Sequence, residues 1–149
     1  MRSGHLGVAA AVSFALLAAT NASAAEGTLD YDYYKRRVEP IFLKKRPDHA
    51  RCATCHVDST NAFKLEKPSG KNAAWADAES RKNFAVLSAL VTPGNPDTSH
   101  LLMYPLSPVA GGTTYHSGGR QFASKNDPDW KTMAAWVNGA KIKATVEKK

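Results

Sequence analysis

Cysteine is nearly absent. The 149 residues hold two, which excludes a scaffold built on several disulfides. Acidic residues are also scarce: thirteen Asp and Glu against twenty Lys and Arg leave a formal charge of +7. No pair of alternating strands, internal repeat, phosphate-binding loop, Ser-His-Asp arrangement or paired-carboxylate motif stands out. Sheet architectures and the commonest hydrolase and nucleotide chemistries are set aside on that ground. Long apolar runs are confined to one place, Leu6 to Ala19, where 14 residues fall short of the ~20 that cross a bilayer.

That run has the anatomy of a secretory signal. Arg2 and His5 form a short polar start, and Ala22-Ser23-Ala24 supplies an A-x-A cleavage site. Residues 1–24 are therefore expected to be a signal peptide, and residues 25–149 one exported or periplasmic domain. With the signal removed, no membrane span is expected. Loss of Arg2 lowers the formal charge from +7 to +6. The positive charges are scattered between Lys35–Arg37, Lys44–Arg46 and the end from Lys141, with no nucleic-acid motif beside them. A solvated basic surface that docks on an acidic protein partner is expected, and no nucleic acid.

Cys52-Ala53-Thr54-Cys55-His56 is the most specific signal in the chain. It reads C-x-x-C-H, the attachment sequence for c-type haem. On one helical turn, thiols three residues apart share a face and can meet both vinyl groups of one porphyrin. The next residue, His56, can then reach the iron. Three rival readings exist. A zinc site would need four ligands, which His49, Cys52, Cys55 and His56 supply only by crowding into eight residues. A thioredoxin-like pair calls for an α/β surrounding, which is not visible. A plain disulfide leaves His56 unexplained.

The remainder reads as mostly α. A first helix is expected over 29–46 from Tyr33, Tyr34, Val38, Ile41 and Phe42, with Pro40 kinking or dividing it. A loop covers 57–70. A second helix is expected from about Ala74 to Val91, with Phe84, Leu87, Leu90 and Val91 as its apolar stripe and Trp75 and Ala78 extending it backwards. Pro93-Gly94-Asn95-Pro96 stops it, and Asp97 or Thr98 caps a short helix from Ser99 to Tyr104. Residues 105–122 form a long loop holding Gly111-Gly112 and Gly118-Gly119 around Tyr115 and His116, as a loop crossing a flat ligand would require. The last helix starts at Asp127-Pro128 and ends at Gly139. Trp130, Met133, Ala134 and Val137 make its face, Trp136 lies on its edge, and the end beyond Ile142 is expected to fray.

Together, the first helix with Phe42, the C-x-x-C-H motif, the Pro-Gly-x-Pro-x-x-Ser-x-Leu-Leu stretch from Pro93 and the closing Trp136-Val137-Asn138-Gly139 resemble a monohaem class I cytochrome c of the planctomycete type. The likeness covers about residues 29 to 140. It implies a cytochrome c-like fold, three to five helices around one covalently bound haem c, with the first and last helices crossing through Phe42 and Trp136. The haem would lie against Phe42, Phe84, Leu87, Leu101, Leu102 and Trp136. The likeness also implies a one-electron carrier rather than an enzyme, with redox proteins as partners. The alternative is a haem enzyme or ligand sensor with an open or displaceable sixth iron site. The chain departs from the family in a longer connector, Lys44 to Arg51, and in lacking a Met-Pro-Pro distal motif. His116 stands about where that motif lies in related domains, so the iron is expected to be held by His56 and His116. Met103 is the alternative distal ligand; His100 and Met133 rank behind as a structural histidine and a core residue.

Overall fold

The computed structural model describes residues 29–143; the expected signal peptide, 1–24, and nearly all of the lysine-rich end lie outside them. Helical chain begins at Asp30, whose carboxylate accepts a 2.6 Å bond from Tyr33 N–H and caps α1 (Tyr31–Tyr33). A π-helical stretch (Tyr34–Val38) and α2 (Glu39–Leu43) follow without a break. Pro40 has no N–H to give the preceding turn, and just before it the Glu39 N–H reaches five residues back to Tyr34 O. The helix is widened here rather than divided. Tyr34, Val38 and Glu39 are all buried along this stretch. The helix stops at Leu43, short of the expected Arg46. Lys44 is extended, and Pro47 disfavours helical backbone at the residue before it.

The motif forms α3 (Cys52–His56), followed by α4 (Asp77–Ser88), α5 (His100–Met103) and α6 (Pro128–Val137). Single 3₁₀ turns lie at Lys71–Ala73, Pro96–Thr98 and Pro108–Ala110. Among the described residues there is no strand, only the isolated bridges Thr92–Asn95 and Leu106–Phe122. The described chain is mostly α, and none of its helices is long and apolar enough to cross a membrane.

α4 is shorter than its expected span. Ala74 and Ala76 are extended, and the Glu79 carboxylate fixes the start by accepting the Ala76 N–H at 2.9 Å. Trp75 is buried but lies outside the helix, its indole N–H on Glu66 O, and Ala78 is exposed. Of the expected stripe only Leu87 is fully buried; the other fully buried residues of the helix are Ser80 and Asn83. Lys35 Nζ donates to Ser80 Oγ and Asn83 Oδ1 accepts from Glu66 N–H at 2.8 Å, while the buried Asn83 Nδ2 has no partner among the described residues. Ser99, not Asp97 or Thr98, precedes α5. Its buried hydroxyl accepts the Thr92 N–H and donates to Asn95 O, so it ties down the Pro-Gly turn rather than the helix start.

The Tyr34–Val38 stretch packs against α6. Trp136 is not at the edge of α6 but at the centre of this contact. It is 0 % exposed, with Tyr34 at 5.7 Å and Phe84 at 5.9 Å between ring centres, and its indole donates to Asp30 O. The expected Phe42–Trp136 contact is replaced by Tyr34–Trp136. Phe42 lies two turns further on, about 12 Å along the axis, where it meets Phe63 edge-on at 6.0 Å.

α6 begins and ends where its residues direct. The Asp127 carboxylate accepts from the N–H groups of Asp129 and Trp130, and Gly139 leaves the helix at φ 84°. Asp127 also pairs with Arg46 at 3.0 Å, and Arg46 reaches Asp129 as well, locking the connector onto α6. Burial raises the Asp127 carboxyl, but the Arg46 guanidinium and the two N–H groups outweigh it and hold the carboxyl below its usual range. A depressed folded pKa contributes stability above the ordinary Asp value of about 3.9. That contribution is lost as pH falls through the lowered folded value. Asp127→Ala is expected to cost about 1–2 kcal/mol and to flatten this acid-side loss. Thermal melts at neutral pH and at about pH 3, below the free Asp value, check both effects.

Candidate functional site

α3 is a single helical turn that puts Cys52, Cys55 and His56 on the wall of a cavity of about 460 Å³. Phe42, Leu101, Phe122 and Met133 line it too. Both thiols are free. Burial pushes the Cys52 thiol up to about 11, opposite to the lowered value of a thioredoxin-like redox pair. Among the described residues no group of three or more His, Cys, Asp or Glu is placed to hold a metal ion. The crowded zinc arrangement through His49 is therefore not assembled.

His56 is half-buried at the end of α3. Its Nδ1 lies 2.9 Å from Phe63 O. A carbonyl only accepts, so Nδ1 carries the proton and Nε2 keeps its lone pair. The Phe63 ring stacks on the imidazole at 3.6 Å. Burial lowers the His56 pKa, the Phe63 carbonyl opposes this, and nearby His116 lowers it further. The net lowering favours a neutral ring, the form that binds metals.

His116 reaches the same cavity from the long loop. Two glycines shape its approach. At Gly112 a Cβ would come within 2.0 Å of Leu106 O, so only glycine fits there. Gly119 adopts φ 80° and closes a turn back to His116 O at 3.0 Å. The Gly119 carbonyl then takes Nδ1–H of His116 at 2.6 Å, so this ring also has Nε2 as its unprotonated nitrogen. The His56 and His116 ring centres are 6.4 Å apart, with planes 20° from parallel.

The other candidates are distributed differently. Met103 is half-buried but not on the cavity wall, and its carbonyl holds Thr113 N–H. His100 is exposed at the rim, edge-on to Tyr104. Met133 is 2 % exposed and lines the cavity. Of the expected apolar wall, Phe42 and Leu101 line the cavity, whereas Phe84, Leu87, Leu102 and Trp136 belong to the packing between helices. Two groups that the sequence reading missed are the carbonyls of Phe63 and Gly119. Main-chain acceptors leave no residue signature, although the Gly118-Gly119 pair marks the turn that presents the second.

No protein-family model, curated protein or solved structure matches this chain. Its chemistry therefore rests on the residues themselves. A haem needs two thiols on one face, one or two imidazoles with free Nε2, and apolar walls, and each is present. Two imidazoles holding one metal ion through Nε2, at metal–nitrogen distances of about 2.0–2.1 Å, would have ring centres about 6 Å apart; those of His56 and His116 are 6.4 Å apart.

Proposed function

We propose that this chain is an exported monohaem c-type cytochrome that carries single electrons, its haem c joined to Cys52 and Cys55 and its iron held by His56 and His116. The observation that carries this reading is the pair of near-parallel imidazoles, 6.4 Å apart, in the cavity that both thiols line. When bound, the haem supplies one-electron chemistry at iron. The chain's residues do the rest. His56 and His116 would hold the iron between them and leave it no open site for a substrate. Each Nδ1–H rests on a carbonyl, which fixes the tautomer and strengthens the ligand. Phe42, Leu101, Phe122 and Met133 exclude water from the interior, while Tyr104 and Tyr115, both on the cavity wall and exposed, lie at its open side.

The positive formal charge favours a redox partner with an acidic docking surface. Electron exchange with such a partner is expected to slow severalfold from low to physiological salt, where the screening length contracts from about 30 to about 8 Å. Stopped-flow rates across that range measure it. The functional reading itself is tested by absorption spectra of the purified protein, oxidised and reduced. Low-spin c-type haem in both states supports an electron carrier. Five-coordinate high-spin iron would favour an enzyme or ligand sensor instead.

A further inference from the structure

The Phe63 carbonyl that receives His56 Nδ1–H stands on chain with no regular structure; helix ends at His56 and does not resume until Lys71. Something other than secondary structure must aim it. Three ties do so. The Phe63 ring sits edge-on to Phe42 at 6.0 Å. Two residues later, Leu65 N–H returns to His56 O at 2.9 Å. Between His56 and Phe63, Ser59 Oγ accepts Asn61 N–H at 3.2 Å, and Asn61 Oδ1 accepts Phe63 N–H at 2.9 Å.

The last bond matters most, because it pins the nitrogen of the residue whose carbonyl and ring both touch His56. The ring contact is 3.6 Å between centres, so a rotated Phe63 would lose its carbonyl bond and its stacking together. We infer that Asn61 is a positioning residue for the proximal imidazole: its amide oxygen, through the Phe63 backbone, sets the strength of the His56 Nδ1–H bond. The inference rests on His56 being an iron ligand. A firm Nδ1–H···O=C bond gives the imidazole more negative character and favours ferric iron. Loosening that bond makes the ring a weaker donor.

The test uses the holoprotein with Asn61→Ala and Asn61→Ser. Serine keeps an uncharged acceptor that closes the same local turn more weakly. Asn61→Ala is expected to shift the ferric–ferrous equilibrium about threefold toward ferrous, and to move the His56 Nδ1–H resonance in the proton NMR spectrum toward that of a freely exchanging group. Asn61→Ser is expected to recover most of both changes. A change in melting temperature alone, with potential and Nδ1–H signal unmoved, would show that Asn61 only shapes the loop and overturns the inference. If the wild type carries no His56-ligated haem, the functional reading fails instead, and the wild-type spectrum distinguishes that outcome before any variant is made.

Discussion

Replacing Cys52 and Cys55 by alanine, in a chain expressed without haem, is expected to give reduced helix content and no sharp thermal transition. The 460 Å³ cavity is the reason. Unfilled apolar space costs roughly 24 cal/mol per Å³, so leaving the whole cavity dry would cost on the order of 11 kcal/mol. That is comparable to the 5–15 kcal/mol total stability of an ordinary domain. Water entering at the open side lowers the figure, but it then wets Ile41, Phe42, Leu101 and Phe122. A ligand held only by the folded state stabilises that state, and here the ligand would fill the apolar gap that Phe42, Leu101, Phe122 and Met133 line. Far-ultraviolet circular dichroism of the double variant, with and without heating, is the measurement. Full helix content and a cooperative melt would contradict the expectation.

His116→Ala is expected to convert the ferric protein from low-spin to high-spin and to raise its reduction potential by tenfold or more in the electron equilibrium, at least about 59 mV for one electron. The other candidate ligands stand in less favourable places. Met103 is off the cavity wall, His100 is exposed at the rim, and Met133 is held on the buried face of α6. The alanine also leaves the Gly119 carbonyl without its imidazole donor. Loop 105–122 should therefore loosen, while α6 and its contact with Tyr34–Val38 remain. Absorption and low-temperature electron paramagnetic resonance spectra read the spin state. An unchanged low-spin spectrum in the variant would remove His116 from the iron.

How much of this was legible depended on the kind of interaction. α6 could be read to within a residue or two because Asp127, Pro128 and Gly139 act locally: a cap, a fixed φ and a left-handed exit. α3 and α5 were legible for similar reasons of spacing and punctuation. The first helix was legible as an element but not in its geometry. The π stretch depends on how Pro40, Glu39 and Tyr34 share hydrogen bonds, and it is Tyr34, not Phe42, that meets Trp136. The inward face of α4 was misread because Ser80 and Asn83 look like solvent-facing residues. Their burial becomes affordable only when Lys35 and the Glu66 backbone arrive from elsewhere in the chain. In the candidate site, Cys52, Cys55, His56 and His116 were visible as residue types. The carbonyls that orient both imidazoles and the ring of Phe63 over His56 were not, because they emerge only from the folded backbone.

The most direct test of paired histidines on one iron is the proton NMR spectrum of the ferrous wild-type protein. Signals of one covalently bound haem are expected, with no strongly upfield-shifted methionine methyl. A spectrum without haem resonances would contradict the cofactor. A methionine methyl far upfield would contradict His116 as its distal ligand and point to a methionine, Met103 or Met133, instead.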